Sequence, residues 1–150
     1  AFSRQNLPHQ LRTPEQLASI ARGGYVLLDS SDGRIDAILI STGSEVDLAM
    51  QVARALQAEG HAVRVVSMPC AEAFDAQPLE YREAVLPRWC RKRVAIEAAV
   101  SDYWRKYVGL DGVVFGIDRF GASAPDKVLY THLGLTVDRI IDATRQLIVA

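Results

Sequence analysis

The sequence predicts an α/β three-layer sandwich, in which helices lie on both faces of a five-stranded mixed sheet. Two observations predict it: short apolar runs recur along the chain, and segments with helical periodicity lie between most of them. Short buried strands that alternate with helices form layers of this kind. We expect four parallel strands and one antiparallel strand at an edge.

The N-terminal segment divides into a linker and a first helix. Residues 1–12 are polar, are interrupted by Pro8 and lack periodicity, so we predict a linker there and a domain over 13–150. Thr13-Pro14-Glu15-Gln16 then predicts a helix start, because Thr13 can cap, Pro14 suits the first helical position and Gln16 completes a capping box. The Gly23-Gly24 pair should end this helix.

The next segments predict one hairpin and one parallel unit. Tyr25–Leu28 and Ala37–Ile40 are β-prone, and the link between them contains an Asp-Gly turn signal, so we expect these two strands to pair antiparallel. Ser44–Glu59 then has one apolar face and ends at Gly60. With Val63–Val66 as the following strand, this unit predicts a right-handed, parallel β-α-β connection.

The second half of the chain predicts two further parallel strands and two helices. The strands are Val94–Ile96 and Val113–Phe115, after a mixed helix and loop region over Phe74–Pro87. A helix begins near Pro125 and ends at Gly134, and the last helix starts at Val137 with one apolar side.

Composition excludes several classes of protein. The 150 residues are 49% hydrophobic and have a net charge of −1, which argues against disorder and against a general nucleic-acid binder. No apolar stretch approaches the length of a membrane span. Cys70 and Cys90 are too few for a disulfide scaffold, which favours a reducing compartment and a cytoplasmic location. The chain lacks an initiator Met, and we expect a fragment of a longer protein.

The residues alone predict no catalytic, cofactor-binding or metal site. The phosphate-loop, dinucleotide, zinc-protease and EF-hand motifs are absent, and the three histidines lack ligand spacing. Thr42-Gly43-Ser44, between a strand and a helix, could bind a phosphate or nucleotide through main-chain N–H groups. We favour a capping box of Thr42 with Glu45, since Glu45 and Asp47 would repel an anion.

Three other groups each have two interpretations. A basic cluster around Trp89 and Cys90 could bind an anion or RNA, but a solvated strand start balanced by Glu80 and Glu83 is favoured; its members are Arg88, Arg91, Lys92 and Arg93. The aromatic segment Asp102–Tyr107 fits an interface anchor and a core helix equally well. Cys70 could be nucleophilic only beside a base or cation, so we expect a buried structural thiol.

Several blocks resemble transketolases in the same order along the chain. They are Ser3–Pro8 (SRQNLP), Ala21–Leu27 (ARGGYVL), Ala37–Val46 (AILISTGSEV), Val63–Pro69 (VRVVSMP), Asp102–Gly109 (DYWRKYVG) and Phe120–Pro125 (FGASAP). The resemblance covers nearly the whole chain. The chain is similar to the carboxy-terminal domain of a transketolase, and the resemblance implies that residues 1–12 are the linker from the preceding pyrimidine-binding domain.

The resemblance implies an enzyme that transfers a two-carbon ketol unit between phosphorylated sugars in the pentose phosphate pathway. Thiamine diphosphate and a divalent metal, Mg or Ca, would serve the intact homodimer and would bind to upstream domains. The isolated chain is therefore expected to bind neither and to be inactive. Arg4 matches the family's substrate residue that grips the sugar phosphate, and guanidinium–phosphate geometry agrees with that role.

Two alternatives remain open on the sequence. One is another thiamine enzyme with the same carboxy-terminal fold, of the deoxyxylulose-phosphate synthase or pyruvate dehydrogenase type, which the SRQNLP and FGASAP blocks disfavour. The other is a stand-alone anion- or nucleotide-binding regulatory module that uses Thr42-Gly43-Ser44.

Overall fold

The computed structural model describes residues 7–118 and 126–150. The strands in these ranges are β1 (Tyr25–Leu28), β2 (Ala37–Ser41), β3 (Val63–Ser67), β4 (Arg93–Ile96) and β5 (Val113–Phe115). The α-helices are α1 (Pro14–Ser19), α2 (Glu45–Ala58), α3 (Ala71–Asp75), α4 (Leu79–Val85), α5 (Arg105–Val108), α6 (Asp126–Leu133) and α7 (Val137–Val149). Among the described residues, no helix is long and apolar enough to cross a membrane.

The five strands form one sheet in the order β1-β3-β2-β4-β5. The β2–β3, β2–β4 and β4–β5 pairs are parallel, and β1 pairs antiparallel with β3 at the edge. The predicted fold class, with four parallel strands and one antiparallel edge strand, is confirmed.

The predicted pairing of the first two strands is wrong. Tyr25 and Val26 of β1 lie opposite Ser67 and Val66 of β3, not opposite β2. The connection after β1 is longer than its Asp-Gly turn, and it crosses the end of β3 to reach the centre of the sheet. There β2, fully buried, lies between two parallel neighbours. A continuous apolar run of this kind is typical of a central parallel strand.

Helices cover both faces of the sheet, and the side chains of β2 alternate between them. Leu39 belongs to the core under α2 and α7, whereas Ile38 and Ile40 belong to the core under the shorter helices of the other face. This alternation follows from the two-residue period of a strand. Each fully buried aliphatic side chain contributes about 1.5–3 kcal/mol, so both layers stabilise the central strand.

The first helix begins and ends as the sequence predicts. The Thr13 hydroxyl accepts a hydrogen bond from the Gln16 main-chain N–H, and the Gln16 side chain accepts one from the Thr13 N–H, which completes the capping box. A short 3-10 turn follows and stops at Gly23, whose φ is +86°. A Cβ at Gly23 would lie 2.2 Å from the main-chain oxygen of Cys70, so only glycine fits there.

The side chain of Gln16 also reaches the open edge of the sheet. Its Nε2 donates to the main-chain oxygens of Val26 and Leu27, at 3.1 and 2.9 Å. The register of β1 shifts between Val26 and Leu28, which marks an irregularity in this short edge strand. Gln16 therefore fixes α1 against β1 by contacts that are separate from its role in the cap.

Candidate functional site

A crevice lies where the loops after β2 and β4 separate at the carboxyl end of the sheet. The chain after β2 continues to β3 on one side, whereas the chain after β4 continues to β5 on the other side, so the two connections leave in opposite directions. Open α/β sheets bind ligands at the point where the connections separate in this way. The cavity there has a volume of about 420 Å³. Its lining includes Thr42, Met68, Cys70, Glu72, Glu97 and Tyr103.

Two glutamates meet beside this crevice. Glu45, the first residue of α2, is only 2% exposed. Its carboxylate accepts a hydrogen bond from the Ser44 hydroxyl at 2.9 Å and another from the Tyr130 hydroxyl of α6. Glu97 follows β4 directly, and its Oε2 atom is buried without a hydrogen-bond partner among the described residues.

The surroundings of Glu97 favour its protonated form. Burial, together with the neighbouring charge of Glu45, raises the pKa of Glu97 from 4.5 to about 8. Glu97 therefore retains a proton at neutral pH, and the pair acts as one carboxylate beside one carboxylic acid. Such a pair can both donate and accept hydrogen bonds. Acidic side chains whose pKa is shifted, lying in a cleft, are typical of functional sites.

The predicted capping box of Thr42 with Glu45 is wrong. The residue before α2 is Ser44, and its side chain makes no capping bond to the helix. The Glu45 carboxylate instead turns inward to the hydroxyls of Ser44 and Tyr130, so it does not bond back to the loop. The acidic groups around Thr42-Gly43-Ser44 also make the crevice unfavourable for phosphate.

Cys70 is exposed, so the prediction of a buried thiol is wrong for this residue. The chain leaves β3 and turns, and the Cys70 N–H donates to the Gly23 oxygen at 3.0 Å while the side chain faces the crevice. Its Sγ lies 3.7 Å from a Glu72 oxygen. Cys90 is the buried cysteine.

The basic cluster is largely used by local contacts. Arg88 pairs with Glu83 at 2.6 Å, as the favoured interpretation predicts, whereas Arg91 pairs with Asp111 and not with Glu80. Lys92 donates to the main-chain oxygen of Ile148. Trp89 is 68% exposed and is not stacked on these cations.

The aromatic segment is mostly core. Trp104 and Tyr107 are buried against the second face of the sheet, and their ring centroids lie 5.8 Å apart. Tyr103 is exposed and donates to Glu72 across the crevice at 3.1 Å. The core-helix interpretation therefore describes this segment, with one aromatic ring facing outward.

Two of the sequence predictions fall outside the described residues. Arg4, the candidate phosphate ligand, precedes residue 7, and the whole FGASAP block lies within 119–125. In the ranges 7–118 and 126–150, no group of three or more His, Cys, Asp or Glu residues could hold a metal ion.

The pairing of Glu45 with Glu97 was not visible in the sequence. Glu45 begins a helix after one strand and Glu97 follows another, so each looks like an ordinary polar residue. The signal that could have found them is their position, because both lie just beyond the carboxyl ends of parallel strands. It becomes decisive only when β2 and β4 are known to be neighbours.

The family of this chain is decided by comparison of sequences. A family model described as transketolase-like TK C-terminal domain matches residues 23–136. The chain belongs to the transketolase C-terminal domain family. It is 53% identical to transketolase 1 of Vibrio parahaemolyticus over 147 residues. These residues make up 98% of this chain and 22% of that relative.

Solved transketolases share the fold. The transketolase from Leishmania mexicana superimposes with a TM-score of 0.79 at 43% identity, covering 88% of this chain and 19% of that one. A Pichia stipitis transketolase mutant solved with xylulose-5-phosphate gives a TM-score of 0.84 at 32% identity, covering 97% and 20%. The chain therefore spans about a fifth of the length of these transketolases.

Proposed function

We propose that this chain serves as the carboxy-terminal domain of a transketolase, a homodimeric cytoplasmic enzyme that transfers two-carbon ketol units between phosphorylated sugars. The observation that carries the proposal is the 53% identity over 98% of the chain to a protein named transketolase 1. The alternative thiamine enzymes lack comparable support, and the Glu45 carboxylate beside Thr42-Gly43-Ser44 counts against an anion-binding module.

The described residues do not fit thiamine diphosphate or its metal. In these ranges no three His, Cys, Asp or Glu side chains are placed so that they could hold a metal ion, and the crevice presents acids where a diphosphate would need cations. We therefore assign the cofactor and the divalent metal to other parts of the intact enzyme. The chain's own contribution is then structural, apart from one substrate contact.

That contact is Arg4. Its guanidinium would bind the phosphate of a sugar substrate through two parallel hydrogen bonds, a geometry that a lysine cannot reproduce. The resemblance of Ser3–Pro8 to the transketolase SRQNLP segment supports this role. Because the phosphate is remote from the reacting carbons, Arg4 would contribute to binding and not to ketol transfer itself.

A chimeric enzyme tests the proposal. The corresponding 147 residues of the Vibrio parahaemolyticus transketolase would be replaced by this chain, and ketol transfer would be measured with phosphorylated and non-phosphorylated substrates. We expect the chimera to be active. A truncated enzyme without these residues is the baseline, and a chimera no more active than that baseline would contradict the proposal.

Arg4→Ala in the chimera tests the substrate contact. We expect the KM for a phosphorylated acceptor to rise about 10-fold or more, since a charge-assisted contact contributes about 1.5–3 kcal/mol. A non-phosphorylated donor should be nearly unaffected. Arg34→Ala removes an exposed arginine that pairs with Asp32, and it should change neither KM. Equal losses on both substrates after Arg4→Ala would exclude phosphate binding by Arg4.

A further inference from the structure

A basic groove lies between α4, α5 and the start of β4, on the face of the sheet opposite α2 and α7. Two cavities of about 240 and 190 Å³ adjoin there and share Arg88, Arg93, Lys106 and Tyr107 in their walls. Leu79 and Leu110, both exposed, lie at its two ends. We call this feature the α4–α5 groove.

The charge of the groove is opposite to that of the whole chain. Its walls contain five cationic side chains, those of Arg82, Arg88, Arg91, Arg93 and Lys106. They contain three acidic ones, those of Asp75, Glu83 and Asp111. The chain as a whole has a net charge of −1, so positive charge is concentrated in this concave surface.

Two guanidinium groups in the groove have no carboxylate partner. No acidic oxygen of the described residues lies within 4.0 Å of Arg82 or Arg93, and the Nε of Arg82 is buried without any hydrogen-bond partner there. Burial lowers the pKa of Arg93, yet an arginine remains charged at neutral pH. Both arginines are partly buried, and for Arg93 the cost of desolvation outweighs the favourable charge of Glu83. A bound anion would offset that cost.

Arg93 is held in a fixed position at the base of the groove. Its nitrogens donate to four main-chain oxygens at 2.7–3.2 Å, those of Leu86, Pro87, Cys90 and Tyr107. Carbonyl oxygens orient the guanidinium but do not neutralise its charge. The positive potential is therefore preorganised, and an incoming anion would not have to order this side chain.

The cations at the rim are paired with exposed carboxylates. Lys106 contacts Asp75 at 2.8 Å, and Arg88 contacts Glu83 at 2.6 Å. Exposed pairs of this kind contribute about 0–1 kcal/mol, so a multiply charged anion can compete with the carboxylates for the same cations. A singly charged carboxylate would only reproduce the existing contacts.

We propose that the α4–α5 groove binds a small oxyanion with two or more negative charges, of the phosphate or diphosphate type. Arg82 and Arg93 would supply the unneutralised charge at the base, and Lys106 and Arg88 would close on the anion from the rim. The proposal rests on described residues alone and does not depend on the proposed function.

An NMR titration of the 150-residue chain with sodium diphosphate at constant ionic strength tests the proposal. Saturable shifts should appear at amides of α4, α5 and the segment before β4, with a Kd of about 1 mM or tighter. Arg82→Gln and Lys106→Gln should each weaken binding about fivefold or more. Arg145→Gln, which removes an exposed arginine paired with Glu59 on the opposite face, should leave the Kd unchanged.

Each outcome of the titration decides the proposal. Shifts spread over arginines and lysines across the whole surface, or an equal effect of Arg82→Gln and Arg145→Gln, would mean nonspecific screening and would overturn it. If Arg82→Gln fails to fold, Lys106→Gln decides alone, since that side chain is half-exposed and unfolding is not expected. Orthophosphate in place of diphosphate should bind more weakly, because it brings less charge.

Discussion

Replacing Glu97 with Gln should remove most of the pH dependence of this domain's stability in the neutral range. In the folded chain the pKa of Glu97 is raised from 4.5 to about 8, chiefly by burial and then by the charge of Glu45. The folded state therefore binds a proton that the unfolded state has already released. The contribution of Glu97 to the free energy of unfolding is greatest below pH 4.5 and decreases as the pH rises to about 8. Above that pH the contribution no longer changes.

The size of the effect follows from the shift and from the position of Glu97. A shift from 4.5 to about 8, at 1.36 kcal/mol for each pH unit, would correspond to about 5 kcal/mol for a fully buried group. Glu97 is only partly buried, so water screens the repulsion from Glu45. We expect the free energy of unfolding to fall by about 2 kcal/mol across that interval.

Urea unfolding measured at several pH values checks this prediction. The wild-type midpoint should move to lower urea as the pH rises from about 5 to about 8, whereas Glu97→Gln should give a nearly constant midpoint. Glu80→Gln makes the same chemical change at an exposed position on α4 and should keep the wild-type slope. The reasoning fails if Glu97→Gln and Glu80→Gln show the same pH dependence.

Two further outcomes follow from local contacts. Thr13→Ala removes the hydroxyl that caps α1 and should lower the free energy of unfolding, measured by urea denaturation, by about 1 kcal/mol. An unchanged urea midpoint would mean that α1 does not contribute to the stability of the domain. An aromatic disulfide reagent should label Cys70 quickly and Cys90 only after unfolding, because burial also raises the pKa of Cys90. Cys70→Ser should abolish the fast reaction, and fast labelling of both thiols would contradict the assigned burial.

The sequence predicts those parts of the fold that depend on neighbouring residues. The helix start at Thr13 and the parallel β2–β3 unit follow from caps and periodicity, and both are confirmed. The partner of β1 does not follow, because pairing with β3 is decided by which strand takes the centre of the sheet. The exposure of Cys70 does not follow from the sequence either, because whether a residue after a strand faces the core depends on the turn that follows it.

The candidate sites differ in the same way. Arg4 was found only through resemblance to a family, since a lone arginine in a polar segment gives no physical signal. Glu45 and Glu97 could not be paired from the sequence, because their proximity depends on β2 lying next to β4. The basic cluster is visible as a run, but the groove also needs Arg82 of α4 and Lys106 of α5, whose place beside that run the sequence does not indicate.

The contacts of Gln16 bear on where this domain physically begins. The family match starts at residue 23, after the helix that contains Gln16. A chain cut at that point would leave the carbonyl groups of Val26 and Leu27 without the amide that occupies them. An edge strand with unpaired main-chain groups can pair with a strand of another molecule, so such a truncated protein should form oligomers or aggregates through β1. The shortest piece in which both carbonyl groups stay occupied must therefore include α1, which lies before the start of the family match.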